Sequence, residues 1–253
     1  MREAFDAVFA ALAQSRVVAQ AIAHACGSAY PADAEPHTLV TRGELDQIWE
    51  ALALEPDELL ADLGCGPGGP GLFVARGARA RLIGVDPSPV AVGEAAARAM
   101  AWGLADRASF RTGHLERTGL EDGSVDGAMS IDALWHAPSH SAVAEEVARI
   151  LCPSARFVIT TWEGKSLPPD MPQPPRSVAD VLRSAGLDVV LVSETPGWRA
   201  RQEAFYAWIG SHEEEVRAEL PEDAALDLLS RAATMPAYLS RLRRVLVVAE
   251  RPR

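Results

Sequence analysis

The sequence predicts an α/β fold with a mostly parallel sheet, and two observations carry that expectation. Short apolar runs alternate with helical stretches at Leu59–Leu63, Arg81–Val85, Ala108–Thr112, Val125–Ile131, Arg156–Thr161 and Val189–Val192. Strands that alternate with helices build βαβ units. The first run also leads straight into a glycine-rich turn, Asp62-Leu63-Gly64-Cys65-Gly66-Pro67-Gly68-Gly69, which opens a helix. Right-handed crossovers then place ligand sites at the carboxyl ends of the strands.

Taken in order, Phe5, Val8, Phe9 and Leu12 fall at i, i+3, i+4 and i+7, the apolar stripe of an amphipathic helix. Gly27 is a natural stop, followed by a loop containing Pro31 and Pro36. A helix is expected from Thr41 as N-cap to about Leu54, with Glu44 completing a capping box. After the strand–helix alternation come five prolines between Glu163 and Arg176 (Pro168, Pro169, Pro172, Pro174, Pro175), so this stretch is neither helix nor central strand. It follows a strand, belongs to the ligand-binding edge and is long enough to form a lid. Residues 196–240 read as helical, in the segments Trp198–Leu220 and Glu222–Ala233, and a final strand, Val245–Ala249, closes the sheet. The expected organisation is one domain, 1–253, with an N-terminal helical cap at 1–56, a ligand-binding core at 57–163 and a helical insertion at 196–240.

Composition excludes several classes. The formal net charge of −11 disfavours general nucleic-acid binding. Three cysteines, Cys26, Cys65 and Cys152, form no C-x-x-C pair, which fits a reducing compartment. No H-x-x-H or carboxylate–histidine cluster has metal-ligand spacing, so no metal is expected. Residues 1–26 develop no signal-peptide core, and no run of about 18 apolar residues occurs. A cytoplasmic protein that does not cross a membrane, as a monomer or homodimer, is the expectation. Lys165 is the only lysine beside 23 arginines, so any lysine-dependent chemistry has one candidate.

The glycine turn carries the strongest chemical signal. Its glycines let the backbone approach a ligand closely, and the helix N-terminus behind them favours an anionic group. Asp86 ends the next strand, 20 residues after Gly66, where an acid accepts both hydroxyls of a ribose. Loop and acid together predict an adenosine-containing cofactor. The dinucleotide fingerprint is G-x-G-x-x-G, whereas this loop reads D-x-G-x-G-x-G, and Asp62 would repel a pyrophosphate but welcome a cation. A short-chain reductase is further disfavoured because none of Tyr30, Tyr206 and Tyr238 is followed by lysine at the Tyr-x-x-x-Lys spacing.

From about Leu59 to Thr161 the chain resembles the class I S-adenosylmethionine-dependent methyltransferases. The resembling blocks are the glycine loop, Gly84-Val85-Asp86-Pro87-Ser88, Phe110-Arg111-Thr112-Gly113-His114, Asp122-Gly123-Ser124-Val125-Asp126 and Val147-Ala148-Arg149-Ile150-Leu151. The Val40-Thr41-Arg42 and Thr160-Thr161-Trp162 segments and the helical insertion are similar to bacterial enzymes that methylate small molecules, often natural products. The resemblance implies a Rossmann-like, seven-stranded mixed sheet, six strands parallel and the last antiparallel, with 57–163 as the cofactor-binding core. It implies S-adenosylmethionine as cofactor, with Gly64, Gly66 and Gly68 facing its methionine part and Asp62 holding its amine. Asp86 would bind the ribose, Pro87 and Ser88 would lie beside the adenine, and His114 and Leu115 would border its other side. Ser130 and Ile131 would line the methionine tail. His114 stands where the family usually has aspartate, and can replace it as an acceptor only with its facing nitrogen unprotonated.

Methyl transfer from a sulfonium needs alignment and a dry site, and a base only when the acceptor is protonated. His136, just past the fourth strand, is the best-placed base, with a structural role as its alternative; Asp132 and His140 are weaker candidates. Trp135, His136, Trp162, Trp198 and Tyr206 are candidates for acceptor binding, and Trp198, Phe205 and Trp208 could share a helical face. The expected partner is a small, apolar acceptor. Cyclisation or rearrangement on the same cofactor-binding fold is the alternative activity, since its cofactor site would be the same.

Overall fold

The structure is a computed structural model that describes residues 11–12, 14–168, 171 and 173–253. Among them lie seven strands: β1 (Leu59–Leu63), β2 (Arg81–Asp86), β3 (Ala108–Thr112), β4 (Val125–Ile131), β5 (Leu151–Gly164), β6 (Asp188–Glu194) and β7 (Leu242–Glu250). They form one sheet in the order β3-β2-β1-β4-β5-β7-β6. Pairing is parallel from β3 through β5, and β7 runs antiparallel to both β5 and β6. Six strands therefore share one direction and the last opposes them. β7 does not close an edge, however; it is wedged between β5 and β6. Its five consecutive apolar residues, Val245–Ala249, are all buried, as suits a strand covered on both faces.

Two helical layers cover the sheet. On one face α2 (Arg42–Leu52), α3 (Gly69–Ala78) and α4 (Pro89–Ala101) pack Leu45, Ile48, Leu72 and Ala99 against Leu60, Leu82, Met129 and Val158. On the other, α5 (His140–Ile150) and α6 (Val178–Ser184) bring Val143, Val147, Val178 and Leu182 against Leu63, Val85, Phe157 and Val247. The period-2 alternation of side chains along the strands assigns neighbours such as Leu60 and Ala61 to opposite layers.

The cap is built from both ends of the chain. α1 (Arg16–Cys26) stops at Gly27, whose positive φ of 53° is one that glycine adopts without a Cβ penalty. The helix anticipated over Phe5–Leu12 lies outside the described residues apart from its end. α2 has the full capping box: Glu44 N donates to Thr41 Oγ1 and Thr41 N donates to Glu44 Oε2. It ends at Leu52 because Ala53 turns left-handed. The insertion forms α7 (Trp198–Ser211), α8 (Glu213–Glu219) and α9 (Glu222–Thr234), then a 3-10 segment, Met235–Arg241, into β7. The expected continuous helix Trp198–Leu220 is broken at His212, whose ring stacks on Trp208 at 3.7 Å between centroids. α1 packs Val17, Ala21 and Ile22 on Ile209, Val216 and Leu228, joining α1 and the helices after β6 into one roof, whereas α2 belongs to the layer against the sheet. Residues 165–168 and 173–177, with Met171, form no helix or strand, and the Gln173 amide bonds to the Leu167, Pro168 and Met171 carbonyls. No described helix is long and apolar enough to cross a membrane.

Candidate active site

The glycine turn folds tightly because its amides reach the neighbouring strand: Gly64 N and Cys65 N both donate to Val85 O, and Gly68 N donates back to Cys65 O. Gly64, Gly66 and Gly68 all have positive φ, at 74°, 51° and 81°. Their surroundings differ. A Cβ on Gly64 would collide with Ala133 Cβ, and one on Gly68 would come to 2.8 Å from Ala95 Cβ, whereas Gly66 has nothing within 4 Å. Gly66 therefore bares its backbone to open space, and the other two permit close packing. Asp86 braces the turn, accepting from Gly66 N at 2.9 Å and Ser88 N at 2.9 Å. Ser88 in turn caps α4 by accepting from Ala91 N.

Asp62 is buried at the end of β1, pressed against Gly71, where a Cβ would strike its carboxyl. No described residue donates a hydrogen bond to that carboxyl. Burial, and then the nearby charge of Asp86, pushes its pKa up to about 8. Cys65 sits inside the turn, and burial raises its thiol well above the usual range, so it packs rather than reacts.

These groups open into a cavity of about 810 Å³ beneath the cap. One end is lined by Asp62, Gly64, Gly66, Asp86, Pro87, Ser88, Leu115 and Ile131; the other by Trp135, His136, Trp162, Tyr206 and Phe205. Five of the expected site residues are not in its wall, His140 at the start of α5 among them. Gly68 packs under α4. Ser130 is buried and donates to Leu63 O at 2.8 Å, tying β4 to β1. Trp198 lies behind Trp162, edge-on at 5.1 Å, with its Nε1 donating to Glu194. His114 is set back on the turn after β3, its backbone bridged to Arg117. The shared face of Trp198, Phe205 and Trp208 is also not formed: Trp198 packs with Leu167 and Leu242, the other two against the α1 side.

A buried acid beside a left-handed glycine turn, with a second acid bracing that turn, is chemically suited to a cationic ligand with an adjoining polyhydroxyl group. Residues 61–159 match the family model described as a methyltransferase domain. The chain is 30% identical over 193 residues to 24-methylenesterol C-methyltransferase 2 of Oryza sativa subsp. japonica, covering 76% of this chain and 50% of that protein. It is 32% identical over 136 residues to the probable chloroplastic tocopherol O-methyltransferase of the same organism, covering 51% of this chain and 38% of that one. The chain thus spans about two-fifths to one half of the length of these relatives. The crystal structure of the cyclase SpnF shares its Rossmann-like fold, with a TM-score of 0.74 at 21% identity over 82% of this chain and 80% of that one. The stretch matching the methyltransferase domain holds Asp62, the glycines, Asp86 and His136, whereas the cap helices and β7 lie outside it.

Beside β4, an ion-pair network fixes the segment that carries His136. Asp132, at the end of β4, has φ 55°, a left-handed conformation that costs a non-glycine residue energy. Arg244 of β7, only 2% exposed, holds it: Nε donates to Asp132 Oδ1 at 2.9 Å and Nη2 to Oδ2 at 3.0 Å. The same guanidinium bonds to Glu44 of α2 and to the Thr160 and Thr195 hydroxyls, and Glu44 also accepts from Arg201 of α7 at 3.1 Å. The sheet, α2 and, through Glu44, α7 thus meet at one arginine. With both oxygens engaged by Arg244, Asp132 is an anchor, contrary to its candidacy as a base. His136 follows on the 3-10 turn Leu134–His136. Burial lowers its pKa, with the Arg231 charge adding to this and Asp132 opposing it, so its imidazole is neutral near pH 7.

Several lining residues escaped the sequence reading. His37 lines the cavity with Thr38 and Leu39. Gln202 of α7 and Asp227 and Arg231 of α9 also line it. Arg244 left a usable signal: it shares the alternation of Leu246 and Val248, which places a charge on a buried face. Among the described residues, no group of three His, Cys, Asp or Glu is gathered that could hold a metal ion.

Proposed function

We propose that the protein is an S-adenosylmethionine-dependent methyltransferase acting on a small, largely apolar acceptor, of the kind used in bacterial specialised metabolism. The observation that carries this reading is the buried Asp62 carboxyl. It has no donor among the described residues, and it lies in a cavity that continues from the glycine turn to an aromatic, capped end. Such a carboxyl calls for a cationic partner, and the α-ammonium of the cofactor is one. Asp86 would take the ribose hydroxyls, Pro87, Ser88 and Leu115 the adenine, with His114 alongside, and Gly66 and Ile131 the methionine part. S-adenosylmethionine, when bound, supplies a methyl group activated by its sulfonium. The chain's own work is then to align the acceptor under Trp135, Trp162 and Tyr206, exclude water beneath the cap and accept a proton at His136 when the acceptor carries one. The free cysteines Cys26, Cys65 and Cys152 support a cytoplasmic location.

Cyclisation or rearrangement in the same cavity is the second reading, favoured by the shared fold with the cyclase SpnF. Mass spectrometry of ligands released from the purified protein, followed by acceptor screening with methyl-labelled cofactor, separates the two. Label entering a product supports transfer. A product of unchanged mass supports rearrangement, and failure of the protein to take up the cofactor refutes both.

A further inference from the structure

At the cap end, the cavity wall carries a charged pair for which the cofactor half has no use. α9 presents Asp227 and Arg231 one turn apart, with Arg231 Nε 2.9 Å from Asp227 Oδ2, and both side chains line the cavity. A guanidinium has five N–H donors in a fixed fork. With Nε turned to Asp227, the Nη1 and Nη2 groups of Arg231 meet no hydrogen-bond acceptor among the described residues, and the side chain is 48% exposed. Its neighbours at this end, Leu228, Met235, Leu239 and Leu242, are apolar. His136, Tyr206 and Arg231 all line this one cavity. The other carboxylate at the cavity's waist, Asp132, is already committed to Arg244.

We propose that Arg231 is the acceptor's anchor, and that it selects an apolar molecule bearing an anionic oxygen, a carboxylate or phenolate. The proposal rests on the methyltransferase reading only in taking the molecule held there to be the acceptor. Charge-assisted N–H···O bonds are stronger than neutral ones, and the planar fork matches a carboxylate in two-point contact. Asp227 orients the guanidinium and offsets its charge while no acceptor is present; the apolar surroundings strengthen the attraction once water is displaced.

The test is calorimetric titration of the full chain, with and without S-adenosylhomocysteine, using three probes of one shape: 2-naphthoate, 2-methylnaphthalene and (2-naphthyl)methylamine. The expected result is preference for the anion by roughly ten- to a hundredfold. Arg231→Met should abolish that preference while leaving S-adenosylhomocysteine affinity unchanged. Asp227→Asn, which frees the guanidinium, should strengthen anion binding. The proposal is overturned if the neutral or cationic probe binds as well as the anion, if none of the three binds, or if Arg231→Met keeps the preference. Failure of S-adenosylhomocysteine itself to bind would overturn the cofactor reading instead, while anion selectivity would still be scored on the protein alone.

Discussion

Replacing Arg244 by methionine tests how the three parts of the structure are joined. Methionine has similar length and fills the apolar path of the stem, so the loss is chiefly electrostatic. Five hydrogen bonds leave with the guanidinium, to Asp132 twice and to Glu44, Thr160 and Thr195. Glu44 keeps Arg201 at 3.1 Å, and the threonine hydroxyls can reorient, so the uncompensated group is Asp132. Removing one partner of a buried ion pair costs about 3–5 kcal/mol, and a single stranded carboxylate places this case near the lower end, at about 3 kcal/mol. For a chain of this size that corresponds to a fall in Tm of roughly 6–12 °C. Urea unfolding and thermal melts followed by circular dichroism measure it. Arg244→Met combined with Asp132→Asn should recover part of the loss, because the stranded charge is gone. A single variant within about 1 kcal/mol of wild type would refute the account of Arg244 as the junction of core and cap.

The Asp62 carboxyl, at about 8, is protonated in the ligand-free protein at pH 6–7 and must lose its proton to pair with a cation. S-adenosylhomocysteine affinity should therefore rise from pH 5.5 to about 8 and then level off, with up to one proton released on binding. The same raised value contributes fold stability that is complete below the ordinary carboxyl range and lost as pH climbs through about 8. Calorimetry in buffers of different ionisation enthalpy counts the proton, and absence of release in wild type would remove this role. Gly66→Ala should weaken cofactor binding at a cost of about 1–2 kcal/mol in stability, the strain of a left-handed alanine. Gly64→Ala, which strikes Ala133, should destabilise considerably more; equal melting temperatures for the two would contradict the packing assignment. His136→Gln should lower turnover of an identified acidic acceptor by roughly 10²–10⁴ with cofactor affinity intact, and a fully active variant would leave alignment alone as the means of catalysis.

What the sequence disclosed and what it hid follow a physical division. Local signals transferred well: the capping box at Thr41 and Glu44, the stop at Gly27, and the strand–turn–helix around Gly64–Gly68 all formed as read. Each depends on residues within a few positions of one another. The place of β7 between β5 and β6 depends on pairings about 90 residues apart in sequence, which period-2 patterning alone does not specify. Side-chain direction was the other gap. Ser130 and Trp198 sit at strand and helix ends expected to face the ligand, yet one bonds to Leu63 O and the other backs Trp162. Both glycines flanking Gly66 were read as ligand-facing; Gly64 lines the cavity while packing on Ala133, and Gly68 is spent on packing against Ala95. Arg231 and Asp227 were invisible because an i,i+4 ion pair on a helix usually marks a solvated face, and only the fold brings that face to the cavity wall.

The most direct measurement of the central claim is a titration of S-adenosylmethionine into wild type and Asp86→Asn. Asp86 accepts from Gly66 N and Ser88 N and lines the cofactor end of the cavity, and the amide keeps its shape while removing its charge and one acceptor oxygen. The account predicts one molecule bound per wild-type chain and binding weaker by about 1–3 kcal/mol in the variant, the worth of charge-assisted hydrogen bonds. A wild-type protein that does not bind S-adenosylmethionine, or a variant that binds it as tightly as wild type, would contradict it.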